Sequence, residues 1–561
     1  MKPHYLERVS SVFAIKEEPM KRAFWFDGEH MNQQIAAVDT TETHAVHLAK
    51  NYNNRSVTEN GATGYRTTTK ALLDLNFKVS SLRARDEKYI VREFIKAYHE
   101  SPVYAVKWLF FLRDILEGMG ERRTFRVCLR YLAVSQPKIA QAVLKYVPEY
   151  GRYDDALVLL ETSLAGDVAA MYKERLDRDI KAMKAGNPVS LLAKWLPSIN
   201  TSSDTTKAFA KKLCRHFKMS PKEYRQTLSK LRAYGNVVET KMSESAWDEI
   251  NYETVPAKAN MKYDKAFEKH DLDRRTEYLE KVFLGEGRLN ANGLMPYEIV
   301  HRITKGNSYC RGLKGDLLSE LMWKKIVTEG FKNDWGFEDA IVVADGSGSM
   351  YSCASGSSSV MAIEICNALA IYFAEQLKGV FHNKAITFSG NPQFIDLKDN
   401  TSLKDKLEIM FSHGEVANTN IEAVFDLILE MAKCNGVPRE ELPKQVLVIS
   451  DMEFDAAACS GYYGRNNWKK TDDTLFAQIA KQYESAGYKM PRLIFWNVCG
   501  RTDTIPMVNN EEGLCLLSGF SQNVMKVAAD KIKKDPYEAL IAALDSPRYQ
   551  KIEDAIRELA A

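Results

Sequence analysis

The sequence lacks the features of a membrane protein and of a disulfide-stabilised protein. No stretch of the 561 residues approaches the roughly 18 consecutive apolar residues of a membrane-spanning helix, and the first 30 residues contain no apolar segment typical of a signal peptide. The nine cysteines are scattered without a Cys-x-x-Cys pair, which favours reduced thiols over a disulfide or zinc framework. We therefore expect a cytoplasmic protein that does not associate with membranes.

Sequence signatures of common catalytic sites are also missing. No P-loop, His-Glu-x-x-His, Gly-x-Ser-x-Gly or Gly-x-Gly-x-x-Gly pattern occurs in a suitable context, and the ten histidines are dispersed. We therefore expect that the protein is not an enzyme.

The net charge of +3 conceals a division of charge along the chain. Residues 336–561 contain 22 Lys and Arg against 31 Asp and Glu, a net charge of −9, whereas residues 1–335 contain 55 against 43, a net charge of +12. The net positive charge of residues 1–335 favours binding of this part to a polyanion. The net negative charge of residues 336–561 indicates that this part has a different role.

The basic part has a helical pattern. After a partly irregular segment (residues 1–60), apolar residues recur every three or four positions, as in "YIVREFIKAYHE", "VYAVKWLFFLRDILEGM" and "KIAQAVLKYV". Strand-like alternation is almost absent, and short turns separate the predicted helices. Short amphipathic helices in series predict a HEAT-like α-solenoid over residues 61–335.

The acidic part, residues 336–561, changes to apolar strands that alternate with helices. The predicted strands are "AIVVAD", "AITFSG", "QFIDL", "QVLVISD", "RLIFWNV" and "GLCLLSG". This alternation predicts an α/β domain with a doubly wound, mostly parallel sheet. In such sheets, ligands bind beyond the carboxyl ends of the strands.

Two of these predicted strands end in aspartates, Asp345 and Asp451. Ser347 and Ser349 follow the first aspartate, and Thr419 lies just before the predicted helix "IEAVFDLIL". Asp, Ser and Gly are ordinary turn residues, so one such segment is a weak indication of a metal site. Three segments in this order on these elements make the prediction much more specific, since they bring together the hard oxygen ligands that Mg²⁺ prefers.

The segments "ADGSGSM", "ANTN" and "VISDMEF" resemble the metal-ion-dependent adhesion site of a von Willebrand factor A domain. The resemblance implies that Mg²⁺, or Mn²⁺ or Ca²⁺, binds to five side chains. These are Asp345, Ser347, Ser349, Thr419 and Asp451. Asn420 stands where relatives often have Asp, at a position that is not usually a ligand. We interpret the nearby Glu415, Glu453 and His413 as solvated or outer groups.

Further segments, among them "TENGATGYRTTTKALLDLNF", "YGRYDDAL" and "YLEKVFLGEGRLNANGLMPYEIV", resemble a poorly characterised family that joins a helical region to an A domain. That architecture is similar to the Ro ribonucleoprotein autoantigens, the TROVE family. The resemblance implies a helical ring, bridged by the A domain, that binds small or misfolded RNA.

Residues 181–232 support a nucleic-acid partner independently, with twelve Lys and Arg against two acids. We predict ten nucleic-acid contacts in this segment and in a smaller cluster near residue 122. They are Lys194, Lys207, Lys211, Lys212, Arg215, Lys218, Lys222, Arg225, Arg122 and Arg123. The interleaved aromatics allow base stacking, but the spacing of Phe209, Leu213 and Phe217 favours the buried stripe of a helix.

These observations favour a non-enzymatic RNA-binding or ribonucleoprotein scaffold. The alternative is a metal-dependent protein adhesion or assembly module, in which the metal takes an acidic side chain of a partner protein. A metal-dependent nuclease is disfavoured, because the predicted site lacks a second metal and a general base.

Overall fold

The computed structural model describes residues 54–57, 63–235, 237–305, 312–330, 339–355, 359–414, 420–453, 475–501, 503–506, 514–528 and 535–559. Most of the predicted segment 1–60 therefore lies outside the described residues. Each helix within the described ranges is too short or too polar to cross a bilayer. Two short antiparallel strands, β1 (Arg55–Val57) and β2 (Thr63–Tyr65), begin this part of the chain.

Between residues 71 and 330 the described chain consists of helices joined by turns, as the apolar spacing predicts. The α-helices are α1 (Ala71–Phe77), α2 (Val79–Leu82), α3 (Glu87–Glu100), α4 (Pro102–Arg113), α5 (Arg123–Ser135), α6 (Pro137–Val143), α7 (Val147–Tyr150), α8 (Ala165–Lys184), α9 (Leu192–Trp195), α10 (Asp204–Phe217), α11 (Pro221–Tyr234), α12 (Val238–Ser243), α13 (Ala257–His270), α14 (Leu272–Phe283), α15 (Pro296–Thr304) and α16 (Leu317–Gly330). Short 3₁₀ helices span Leu144–Tyr146, Tyr153–Glu161, Trp247–Glu249 and Tyr252–Thr254.

Local sequence explains where these helices begin. The side chain of Asp86 accepts a hydrogen bond from the Tyr89 N–H and caps α3. Ser220 and Glu223 form a reciprocal capping box at the start of α11, where Pro221 fills the first helical position. Neighbouring helices such as α3, α4 and α5 pack against one another. The mainly helical character is thus confirmed, and the HEAT-like repeat remains a prediction.

Two segments of the helical part that are distant in sequence contact each other. Gly120 has a positive φ of 70°, and a Cβ atom at this position would lie 2.3 Å from Cε of Met295. Gly293 packs in the same way beside Ile115. Chain segments that are more than 170 residues apart therefore meet, and glycine permits the close approach.

The C-terminal part contains a six-stranded mixed sheet, and its predicted strands are confirmed. The strands are β3 (Ala340–Asp345), β4 (Lys384–Phe388), β5 (Phe394–Asp396), β6 (Gln445–Ser450), β7 (Arg492–Asn497) and β8 (Leu514–Ser518). Their order is β5-β4-β3-β6-β7-β8, and β5 is antiparallel to β4 while the other pairs are parallel. The helices are α17 (Ala362–Ala374), α18 (Leu403–Ser412), α19 (Ile421–Cys434), α20 (Leu475–Ser485), α21 (Pro536–Leu544) and α22 (Pro547–Arg557).

The last helix, α22, packs against α4 and α6 of the helical part. Its interface contains buried charges. Arg548 donates to Asp114, with 2.8 Å between Nη2 and Oδ1, and the Tyr549 hydroxyl lies 3.1 Å from the other oxygen of this carboxylate. The fully buried Lys107 donates to Asp545 and Glu553, at 2.5 and 2.8 Å. These pairs join the two parts of the chain.

Replacing Arg548 with alanine is expected to destabilise the protein, because the fully buried Asp114 carboxylate loses its guanidinium partner. Removing one partner of a buried ion pair costs about 3–5 kcal/mol. The matched control is Arg557→Ala, whose 67 % exposed side chain pairs with Glu553 on the same helix. Urea unfolding monitored by circular dichroism measures both variants. Equal losses of stability would contradict a special role for the Arg548 pair.

Candidate metal centre and basic helical surface

The two strand-end aspartates lie at the same edge of the sheet. β3 and β6 are parallel neighbours, with Ala344 opposite Ile449, so Asp345, one residue after Ala344, and Asp451, two residues after Ile449, lie close together where the two strands end. Each aspartate is only 1 % exposed. Parallel pairing therefore places two carboxylates side by side in a buried environment.

The loop after β3 adds two hydroxyl groups. The Ser347 N–H donates to Oδ1 of Asp345 at 2.9 Å, which folds the loop back toward the strand end. The hydroxyl oxygens of Ser347 and Ser349 lie 2.9 Å apart, and the Ser349 hydroxyl is close enough to Asp451 to oppose the rise of its pKa. The structure thus brings together four of the five predicted ligands. Thr419 and the neighbouring Glu415 lie outside the described residues.

Residues around Asp451 complete the cluster. The Ser450 hydroxyl donates to Oδ2 of Asp345 at 2.6 Å, and the Glu453 N–H donates to Oδ1 of Asp451 at 3.1 Å. Glu453, interpreted from the sequence as a solvated or outer group, is itself 3 % exposed, so three carboxylates are buried here. Met452 between them has a φ of 63°, a left-handed conformation that turns the chain sharply.

An arginine that the sequence analysis missed also lies at this cluster. Nη2 of Arg501 is 3.3 Å from Oδ2 of Asp451, and its backbone N–H donates to Glu453 at 2.9 Å. Arg501 follows β7, the strand beside β6. Its position shortly after the end of a predicted strand could have indicated that it lies near the aspartates. It is not among the predicted site residues because arginine is not a metal ligand.

Burial and the neighbouring charge of Asp345 raise the pKa of Asp451 to about 7, although Ser349, the Glu453 N–H and Arg501 oppose the shift. Within the described residues, the guanidinium of Arg501 is the side-chain cation beside these carboxylates. A cation bound beside Asp345 and Asp451 would relieve the unfavourable burial of negative charge that raises this pKa.

The donor set fits a hard cation. Two carboxylates and two hydroxyls supply oxygen ligands, as Mg²⁺ requires, and leave coordination positions for water or a partner. Among the described residues, no group of three or more His, Cys, Asp and Glu side chains is arranged to hold a metal. A metal at this cluster would therefore depend on the serine hydroxyls as well as on the carboxylates. His413 binds the Ile409 carbonyl through Nδ1 at 2.8 Å, within its own helix turn.

The predicted nucleic-acid contacts divide into two groups. Five cations on α10, on α11 and on the link between them are exposed and form no ion pair with the described residues. These are Lys211, Arg215, Lys218, Lys222 and Arg225. Arg122 is also exposed, and burial of part of its side chain and the nearby charges of Arg152 and Arg126 lower its pKa.

The other four cations have partners within the protein. Lys212 donates to the Leu160 carbonyl at 3.2 Å, and Arg123 donates to the carbonyls of Leu82 and Arg85. Lys194 lies 3.5 Å from Glu239, and Lys207 lies 3.5 Å from Asp204. Lys212 and Arg123 therefore stabilise the fold, and Lys194 and Lys207 are partly neutralised.

The aromatic residues of this segment belong to the core, as the helical spacing favoured. Phe217 and Tyr224 are 4 % and 0 % exposed, and the Tyr224 hydroxyl donates to the Pro197 carbonyl at 2.9 Å. Phe209 is partly buried against the same core. One face of Trp195 is covered by the guanidinium of Arg152, 3.7 Å from the ring centre.

Comparison with known proteins divides the chain in two. Residues 58–157 and 161–333 match a domain of unknown function, DUF2828, and residues 339–556 match another, DUF7788. The chain is also similar to an uncharacterised protein, L728, of Acanthamoeba polyphaga mimivirus, with 26 % identity over 528 residues that cover 88 % of this chain and 87 % of the relative. Neither domain description names an A domain or a Ro protein, so that resemblance remains a prediction.

Asp451 should make stability depend on pH when metal is removed with EDTA. Its folded pKa of about 7 exceeds the usual value of 3.8, so between pH 4 and 7 the folded state keeps a proton that the unfolded state loses. The contribution of Asp451 to stability therefore falls as pH rises through this window, and is fully lost above it. Asp451→Asn should remove this dependence and be the more stable protein at pH 8.

Thermal unfolding in EDTA at pH 5 and pH 8 measures this difference. Asp396→Asn is the control, because Asp396 also ends a strand but is exposed and has a lowered pKa owing to Lys384. An Asp451→Asn protein that loses as much stability as the wild type between the two pH values would contradict the prediction.

Proposed function

We propose that this protein is a non-enzymatic RNA-binding scaffold, in which the basic helices bind RNA and the carboxylate cluster binds a divalent metal that contacts a partner. The observation that favours RNA most is the group of five exposed cations on α10, α11 and their link, which have no ion pair among the described residues. A solvated helix face usually intersperses both signs of charge. Closely spaced cations repel each other unless a polyanion such as an RNA backbone neutralises them.

The proposed contacts are to phosphates and not to bases. The aromatic side chains of this segment are packed in the core or, in the case of Trp195, covered on one face by Arg152. We therefore do not propose that they stack on unpaired bases. Phosphate contacts supply affinity that falls with salt and little sequence preference. The proposed helical part would therefore bind many RNAs of suitable shape.

The proposed role of the C-terminal part is that of a von Willebrand A domain with a Mg²⁺-type site. Asp345, Ser347, Ser349 and Asp451 would hold the ion, and Thr419 would be the fifth ligand. The ion would supply an open position for a carboxylate or phosphate oxygen of a partner. The burial of Asp345 and Asp451 side by side supports metal binding in the alternative function as well, a protein adhesion module that uses the metal without RNA.

Removing three exposed lysines is expected to weaken RNA binding. The test variant is Lys211→Gln, Lys218→Gln and Lys222→Gln together. Each lost phosphate contact should reduce the slope of log K against log salt by about 0.7, so that the slope falls by roughly 2. Fluorescence anisotropy with a single-stranded RNA and with a hairpin RNA, at several salt concentrations, measures both affinity and slope.

The matched control removes three exposed lysines of the acidic part, Lys398, Lys433 and Lys489. Both sets contain one residue in the left-handed conformation, Lys218 with φ 53° and Lys398 with φ 57°. Equal effects of the two triple variants would indicate a non-specific response to net charge. If the wild-type protein binds neither RNA at low salt, the RNA function is wrong and the adhesion module takes its place.

Asp345→Ala is expected to abolish Mg²⁺ and Mn²⁺ binding and to leave the fold largely intact, because it removes a carboxylate at the centre of the cluster. Titration calorimetry of the full chain with each metal measures the affinity. Asp396→Ala, at the end of an edge strand, should bind like the wild type. Unchanged metal affinity in Asp345→Ala would refute the assignment.

A further inference from the structure

Arg501 lies where its positive charge can neutralise the Asp451 carboxylate or compete with a metal ion for that carboxylate. Its Nη2 atom is 3.3 Å from Oδ2 of Asp451, and Asp451 has a side chain only 2 % exposed. The side chain of Arg501 is 34 % exposed, so it reaches the carboxylate from the rim of the cluster. A guanidinium in this position neutralises part of the charge that burial makes costly.

The backbone of Arg501 is fixed on both sides. Its N–H donates to Glu453 at 2.9 Å, and its carbonyl accepts from Nη2 of Arg85 at 2.6 Å. Two residues later, Asp503 accepts hydrogen bonds from Ser81, Arg85 and Tyr89 at 2.6, 3.0 and 2.5 Å. The helices α2 and α3 therefore hold this loop, and the guanidinium stays within reach of Asp451 even when it is not bound there.

We propose that Arg501 is the exchangeable cation of the metal centre, pairing with Asp451 in the metal-free protein and leaving it when a divalent cation binds. This inference rests on the proposed metal binding. A carboxylate oxygen that is coordinated by a metal is a poorer acceptor for a second cation, and two cations on one carboxylate repel each other. The rotatable side chain and its exposed third give the guanidinium a path toward solvent.

The exchange makes Arg501 a residue that sets metal affinity. Every metal that binds must first displace the guanidinium, so the free energy of the Arg501–Asp451 pair is subtracted from that of metal binding. Because the competitor is tethered, its effective concentration is high and does not fall on dilution. The helical part contributes to this tether through Arg85, Ser81 and Tyr89, although it supplies no proposed metal ligand.

Arg501→Gln is therefore expected to bind Mg²⁺ and Mn²⁺ about tenfold more tightly than the wild type, within the usual range for coupled sites. Arg501→Lys keeps the charge and should stay close to the wild type. Arg439→Gln removes the same charge from an exposed turn of the same part and should have no effect. Titration calorimetry of the full chain with each metal alone measures all four proteins.

Thermal unfolding in EDTA provides a second readout. Arg501→Gln should lower the melting temperature of the wild-type protein, but not that of Asp451→Asn, because the ion pair exists only when both side chains are charged. An equal effect in both backgrounds would overturn the pairing. Metal affinity that is unchanged or weaker in Arg501→Gln would overturn the exchange alone. If neither the wild type nor Arg501→Gln binds metal, the proposed centre fails as well.

Discussion

The parallel pairing of β3 with β6 is the constraint on which the candidate centre depends. It fixes Asp345 and Asp451 next to each other at one edge of the sheet, and both are almost completely buried. Two ionised carboxylates in such a place repel each other and lose hydration. The surrounding groups offset part of this cost. Hydroxyl and backbone donors bind both carboxylates, and Arg501 supplies one positive charge.

The structure divides the cations of the basic helical region into those that form ion pairs inside the protein and those that are exposed. Part of the positive charge of the helical region is used inside the protein. Lys107 pairs with Asp545 and Glu553 of the C-terminal part, and Arg113 pairs with Asp155 within the helical region. The cations on α10, α11 and their link are not used in this way. These two helices therefore present the cations that the proposed RNA binding would use.

Sequence patterns predicted the strands, the helical region and the convergence of four oxygen groups, because each of these follows from local spacing. An aspartate that closes an apolar run lies at the carboxyl end of a strand, whatever the rest of the fold. The roles of individual cations could not be predicted. Lys212 finds its carbonyl partner 52 residues away at Leu160, and nothing in the local pattern distinguishes it from the exposed Lys211.

The role of Arg501 at the candidate metal centre could not be predicted from local sequence either. It is 50 residues from Asp451 in sequence, and its approach depends on the order β6-β7 and on a loop held by α2 and α3. The loop thus joins two features that the sequence presents as separate, the helical region and the carboxylate cluster. Since Arg85 binds both Arg501 and Asp503, a displacement of α2 and α3 would alter the cation that balances Asp451. If the proposed scaffold binds RNA on its helices, this loop would connect the helical region with the proposed metal centre.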